Sequence, residues 1–171
     1  MPRKRHRFLL VWNRVVSMNN KSRSYSLVLL QFVLIGLLVL SPRQEAPYGG
    51  ASEIIGFIGV GFIAIGSIVL LVSFLSLGNA LTALAIPKDN GTLITTGIYS
   101  RVRHPIYFAL LLMSLGIMLD AGYWPQVVVA MLLYVLLSNK ADFEESLLRE
   151  RYPQYKQYAE KTPRFFPRLG R

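Results

Sequence analysis

The chain reads as an all-α, polytopic integral membrane protein of about four transmembrane helices, with a helical hairpin and a cytoplasmic C-terminal region. Three observations predict that class. Apolar residues make up 53% of the 171 and charged residues only 16%, a balance that soluble domains of this size do not usually show. The apolar residues collect in four stretches of helical length. The cations lie almost entirely between and beyond those stretches.

Residues 1–24 read as a basic cytoplasmic tail, and residues 25–171 as a single membrane domain. The tail is Arg-rich with a short apolar patch at Phe8 to Trp12. The favoured expectation for it is disorder, and the alternative is an interfacial segment on anionic lipid. Met18 is an alternative start, and no small residues suited to signal cleavage follow the apolar run.

Tyr25 to Leu40 is the first span, bounded by Ser24 and by Ser41-Pro42. Ile54 to Leu77 is the second, long enough to cross a hydrocarbon core of about 30 Å with some tilt. Gly56, Gly59, Gly61 and Gly66 give it a close-packing face against another helix, with the same chain preferred to a second subunit. Pro105 to Leu119 and Val127 to Ser138 form the hairpin, turned by Asp120-Ala121-Gly122-Tyr123-Trp124-Pro125 with its two interfacial aromatics. At 1.5 Å per residue the third span is only about 22 Å long, which sets its start below the headgroups. Gly78 to His104 then lines a cavity, because irregular backbone at that depth needs protein or water to satisfy it.

The net charge of +10 has a topological reading. Eighteen of the nineteen Lys and Arg residues precede the first span, lie between the second and third, or follow the fourth, leaving Arg43 alone on the other side. The positive-inside rule therefore places both termini and the 78–104 segment in the cytoplasm. Dispersed in this way, and without a recognised module, the charge implies no nucleic-acid partner. There is no cysteine, so disulfides, thiolate chemistry and Cys-based metal sites are excluded, and no metal ligand set is assigned.

The densest chemistry is Gly97-Ile98-Tyr99-Ser100-Arg101-Val102-Arg103-His104-Pro105-Ile106-Tyr107. Pro105 suits the first position of a helix, where its missing N–H has no partner to lose, which puts His104 beside the N-cap of the third span. The helix opening and its dipole make an anion site, to which Arg103 adds a fixed charge and Tyr99 and Tyr107 add hydroxyls and ring faces. Read singly, these residues are also ordinary belt and boundary residues.

A second element, Lys140-Ala141-Asp142-Phe143-Glu144-Glu145, continues the fourth span. Lys140 and Glu144 share a helix face, and Glu145 is turned roughly 100° away, so one glutamate is expected to face the pocket. The competing reading is a solvated charged helix. Tyr152-Pro153 should stop it. The tail with Tyr155, Tyr158 and Thr162-Pro163-Arg164-Phe165-Phe166-Pro167 is then free to fold back over the site.

Taken together, Thr92-Leu93-Ile94-Thr95-Thr96-Gly97-Ile98-Tyr99, Arg103-His104-Pro105-Ile106-Tyr107, and Glu144-Glu145 with Tyr155 and Tyr158 resemble the isoprenylcysteine carboxyl methyltransferase and phospholipid methyltransferase family, over Leu84 to Pro167. The tail is most similar to bacterial members of undefined substrate. The resemblance implies S-adenosyl-L-methionine as cofactor, held in the C-terminal region by Gly91, Thr92, Leu93, Ile94, Tyr99, His104, Pro105, Ile106, Tyr107 and Glu144, with Arg103 beside them and Glu145 the fallback for Glu144. It implies Lys140 in the place of an arginine that contacts substrate. Lysine lacks that arginine's planar fork, and a glutamine of the eukaryotic enzymes falls near Leu84 and is missing.

The implied reaction is methylation of a lipidic or hydrophobic acceptor, at carboxylate oxygen or amine nitrogen, in the bilayer of a bacterial inner membrane. Two other classes compete with it. Sterol-type NADPH reductases share a related R-H-x-N-Y pattern, with Ile106 here in place of their Asn. A membrane subunit or transporter would be marked by ionisable residues at mid-span, which these spans do not carry.

Overall fold

The computed structural model describes residues 3–78 and 92–168, with side chains from Asn20 onward. Helices α1 (Arg3–Leu40), α2 (Ser52–Leu77), α3 (Pro105–Ala121), α4 (Pro125–Arg151) and α5 (Tyr155–Lys161) carry the fold, with short 3-10 turns at Gly49–Ala51 and Gly97–Ser100. Among the described residues every regular element is helical. Asn20–Leu40, Gly49–Leu77 and Pro125–Arg151 are long and apolar enough to cross a membrane, whereas Pro105–Ala121 is apolar but shorter.

The N-terminal segment departs from the expected disordered tail. It is helical from Arg3 and runs unbroken into the apolar stretch. Arg, Lys, Leu and Met are good helix formers, and extending an existing helix adds one hydrogen bond per residue without a new nucleus. Ser41-Pro42 ends it, because the residue before a proline is pushed out of the helical region. At the start of α2, the Ser52 hydroxyl donates to the Gly49 carbonyl (2.8 Å) and accepts from the Tyr48 amide (3.0 Å). Glu53 in its first turn complements the helix dipole.

The hairpin is tighter than its sequence indicates. Asp120 and Ala121 remain in α3 and Pro125 opens α4, so only Gly122, Tyr123 and Trp124 turn the chain. Gly122 is left-handed (φ 59°, ψ 15°), and its amide donates to the Met118 carbonyl at 3.0 Å. A Cβ there would stand 2.2 Å from Pro47 carbons. Glycine is required twice over.

The helices neighbour one another in the order α2, α3, α4, α1, with α1 also touching α3. Glycine makes the α2 contact close. A Cβ on Gly116 would sit 2.5 Å from the Gly59 carbonyl oxygen, and one on Gly66 would sit 2.6 Å from Met113 Cγ. The Gly59 and Gly66 face therefore packs within this chain, against α3. Gly116→Leu should force α2 from α3 and lower stability by about 1–3 kcal/mol, as overpacking does. Gly61→Leu, which meets open space, serves as control. Thermal unfolding in detergent checks the pair, and equal midpoints would contradict the packing account.

The core joins α1 and α4 through Leu34, Leu38, Leu133, Leu136, Leu137 and Ala141, with Tyr107 and Phe165 closing one end. Outward positions on α1, α2 and α4 are large and apolar, among them Leu29, Phe32, Phe57, Leu75 and Met131. Water does not usually meet so much exposed apolar side chain on a small monomer. At the far end Arg43 pairs with Asp120 (3.2 Å) and the Gln44 amide donates to the Ala121 carbonyl (3.0 Å).

Candidate functional site

Because α3 and α4 are antiparallel, the start of α3 and the last turns of α4 meet at one end of the apolar bundle. The C-terminal segment completes that end. The amides of Arg103 and His104 donate to the carbonyls of Pro163 (2.9 Å) and Arg164 (3.0 Å). The Tyr158 hydroxyl donates to the Tyr99 carbonyl (2.6 Å), and the Phe165 ring lies 5.9 Å from His104 and 6.3 Å from Tyr107. The aromatic tail does fold back, and in doing so it takes the His104 amide that the sequence reading left open to an anion.

Glu145 is the hub. Its Oε1 accepts from Arg103 Nε (3.1 Å) and Nη2 (3.0 Å), from Arg164 Nε (3.1 Å) and from His104 Nε2 (3.1 Å), while Oε2 accepts from Arg149 Nη2 (3.1 Å). Arg164 also pairs with Asp142. The Glu145 side chain is 3% exposed, so this carboxylate is fully engaged within the protein. Arg103 is engaged too, since Nη1 donates to the carbonyls of Ala159 (2.6 Å) and Thr162 (2.7 Å). Its charge, expected to serve an incoming anion, instead ties the tail to α4.

Glu144 is placed differently. Its side chain is 29% exposed, Oε2 accepts from the Tyr107 hydroxyl at 2.9 Å, and His104 Nδ1 lies 3.6 Å away. That last distance is too long for a hydrogen bond. The His104 ring stacks on Tyr107 with centroids 5.1 Å apart and planes within 3°. Lys140, 5% exposed, donates from Nζ to Gln31 Oε1 on α1 (2.8 Å) and lies 5.3 Å from the Tyr107 ring centroid. Lys140, Tyr107 and Glu144 therefore run side by side as cation, ring and carboxylate.

The sequence expects one glutamate of the pair to face the pocket, and the two are placed unequally. Both approach His104 from its two ring nitrogens, and they differ in freedom, with Glu144 reachable and Glu145 locked. Burial, reinforced by the Glu144 carboxylate, pushes the Tyr99 hydroxyl well above its usual range. Burial with the nearby Glu145 charge does the same for Tyr155. Tyr158 is pushed up to about 12, chiefly by burial. All three stay neutral donors near pH 7.

Of the remaining predicted residues, Pro105 is buried at the first position of α3 and Ile106 is half-buried behind it. Thr92 is exposed, Leu93 and Ile94 are half-buried in chain without regular structure, and Gly91 lies outside the described residues. The Tyr155 hydroxyl is buried and has no hydrogen-bond partner among the described residues. Sequence reasoning missed Gln31 and Arg149 and gave Arg164 no role. Arg149 stands four residues after Glu145, a spacing that signals a helix-face pair. Gln31 was marked only as an amide in an apolar run. Among the described residues no group of three or more His, Cys, Asp or Glu is arranged to hold a metal ion.

The fold and site define a helical protein of membrane type with a charged, aromatic-lined centre at one end of its apolar bundle. Residues 54–155 match the phospholipid methyltransferase family model, and the chain belongs to that family. It is similar to the cobalt-zinc-cadmium resistance protein CzcN of Cupriavidus metallidurans, with 31% identity over 145 residues, 84% of this chain and 62% of that protein. The nickel-cobalt-cadmium resistance protein NccN of Alcaligenes xylosoxydans xylosoxydans is 31% identical over 147 residues, 84% of this chain and 63% of that protein. The protein-S-isoprenylcysteine O-methyltransferase of Schizosaccharomyces pombe is 28% identical over 112 residues, 63% of this chain and 48% of that enzyme. The chain thus spans less than two thirds of the length of each of these relatives.

Proposed function

We propose that this protein is an integral membrane methyltransferase that uses S-adenosyl-L-methionine to methylate a lipidic or otherwise hydrophobic acceptor. The observation that carries the reading is the Lys140, Tyr107 and Glu144 row at the opening of α3. Those groups fit the cofactor's chemistry: carboxylate and phenol oxygens for ribose hydroxyls, ring faces for the base, and a carboxylate for a sulfonium charge. Glu144, Tyr107, Tyr99 and His104 would hold it, with Pro105 and Ile106 forming the wall and Thr92 to Ile94 a further edge. The bound cofactor supplies a methyl group already activated for transfer.

The chain's own residues then align the acceptor and exclude water. A carboxylate acceptor needs no base. An amine acceptor has to lose a proton, and Glu144 is the acceptor for it, because Glu145 already receives hydrogen bonds from three arginines and a histidine. Lys140 orients an acidic head group. Lys140→Met should weaken binding of an acidic acceptor by roughly 10–100-fold while leaving S-adenosylhomocysteine affinity within about twofold. Comparable losses of both would remove Lys140 from the acceptor side.

The same reading makes α3 a fourth span, assisted by tilt or local thinning of the bilayer. It sets both termini and the site on the cytoplasmic side of a bacterial inner membrane. Calorimetric titration of the detergent-purified protein with S-adenosylhomocysteine tests the assignment. Saturable binding that Glu144→Ala removes supports it. Absence of binding by folded protein defeats it, and saturable NADPH binding would transfer the site to a reductase.

A further inference from the structure

A cavity of about 430 Å³ is lined by Arg103, Arg149, Lys156, Ala159 and Glu160, the first two of which pair with Glu145. None of Lys140, Tyr107 or Glu144 contributes to its wall. The volume is within the range of small-ligand sites, roughly 300–1,000 Å³. We propose that this cavity is a separate binding site for a phosphate-bearing group at the membrane surface.

The charge balance supports an anion. Arg103, Arg149 and Lys156 face the cavity against Glu160, with Glu145 behind them. Arg103 is already committed to Glu145 and to the Ala159 and Thr162 carbonyls, so the cationic groups left to a ligand are those of Arg149 and Lys156. Arg149 uses one terminal nitrogen on Glu145 and keeps a side chain 60% exposed, leaving the rest of its fork to a ligand. Lys156 and Glu160 are four residues apart on α5 and so share a face. A guanidinium fork beside an exposed ammonium suits a tetrahedral anion with several acceptor oxygens better than a lone carboxylate.

Location narrows the source of that anion. Arg149 lies one turn past Glu145 on α4, and α5 follows at once, so the cavity opens where the apolar bundle ends. Lipid phosphates crowd that level. The ligand is a phospholipid head group or a free phosphate delivered to the same surface.

Native mass spectrometry of the full chain in detergent compares retention of phosphatidylglycerol with that of diacylglycerol. The wild type should retain the phospholipid, Lys156→Glu should weaken it about tenfold, and Lys161→Glu, an equal charge change outside the cavity wall, should not. If no lipid is held but inorganic phosphate raises the thermal midpoint of wild type and not of Lys156→Glu, the site stands with free phosphate as its source. Equal loss in the two variants, or neither lipid retention nor phosphate stabilisation, overturns the proposal. Its failure leaves the methyltransferase reading intact, because Lys140, Tyr107 and Glu144 lie outside the cavity wall, and S-adenosylhomocysteine titration reports on them independently.

Discussion

Glu145→Ala is expected to lower stability by roughly 3–5 kcal/mol, the range seen when a buried ion pair loses one partner. The loss is large because one carboxylate serves Arg103, His104, Arg149 and Arg164 at 3.0–3.1 Å. Without it, the half-buried Arg103 and the partly covered Arg164 are left facing one another. The C-terminal segment is held through the same groups, so limited trypsin digestion should cut it sooner in the variant. A thermal midpoint within one or two degrees of wild type, with unchanged digestion, would show that the cluster is dispensable.

Glu144→Gln should do the reverse. The change keeps the volume and leaves an oxygen for the Tyr107 hydroxyl, so the midpoint should hold. Cofactor affinity should fall by roughly 10–100-fold, the usual worth of a hydrogen bond to a charged group. Titration with S-adenosylhomocysteine and single-turnover methyl transfer to a lipid acceptor measure it. Unchanged affinity together with a reduced midpoint would assign Glu144 to the fold instead. The two adjacent variants thus separate into one that unfolds the site and one that empties it.

Much of this architecture was legible because helix signals are local. Pro105 and Pro125 mark the starts of the two hairpin helices, Gly122 ends α3, and Tyr152-Pro153 ends α4 at Arg151. The glycines of α2 announced a close neighbour, and α3 is that neighbour. The helical N-terminal extension was hidden by its cations, which read as solvated tail although Arg and Lys favour helix. The division of labour between Glu144 and Glu145 was hidden for a geometric reason. Positions 100° apart on a helix diverge toward a distant pocket, but a planar ring between them presents a nitrogen to each. Gln31 and Arg164 depend on contacts across 109 and 19 residues, and no local pattern reports those.

The tail pairing also has a consequence in time. Arg103 waits for a carbonyl 59 residues further along the chain, which at about 5–20 residues per second of synthesis is a delay of roughly 3–12 s. Glu145 is made 42 residues after Arg103, so for the first part of that interval Arg103 and His104 lack it, and throughout it they lack the Pro163 and Arg164 carbonyls. The centre is therefore assembled only after the segment through Phe165 has left the ribosome. A nascent chain stalled before Phe165 would be membrane-bound yet have no finished pocket.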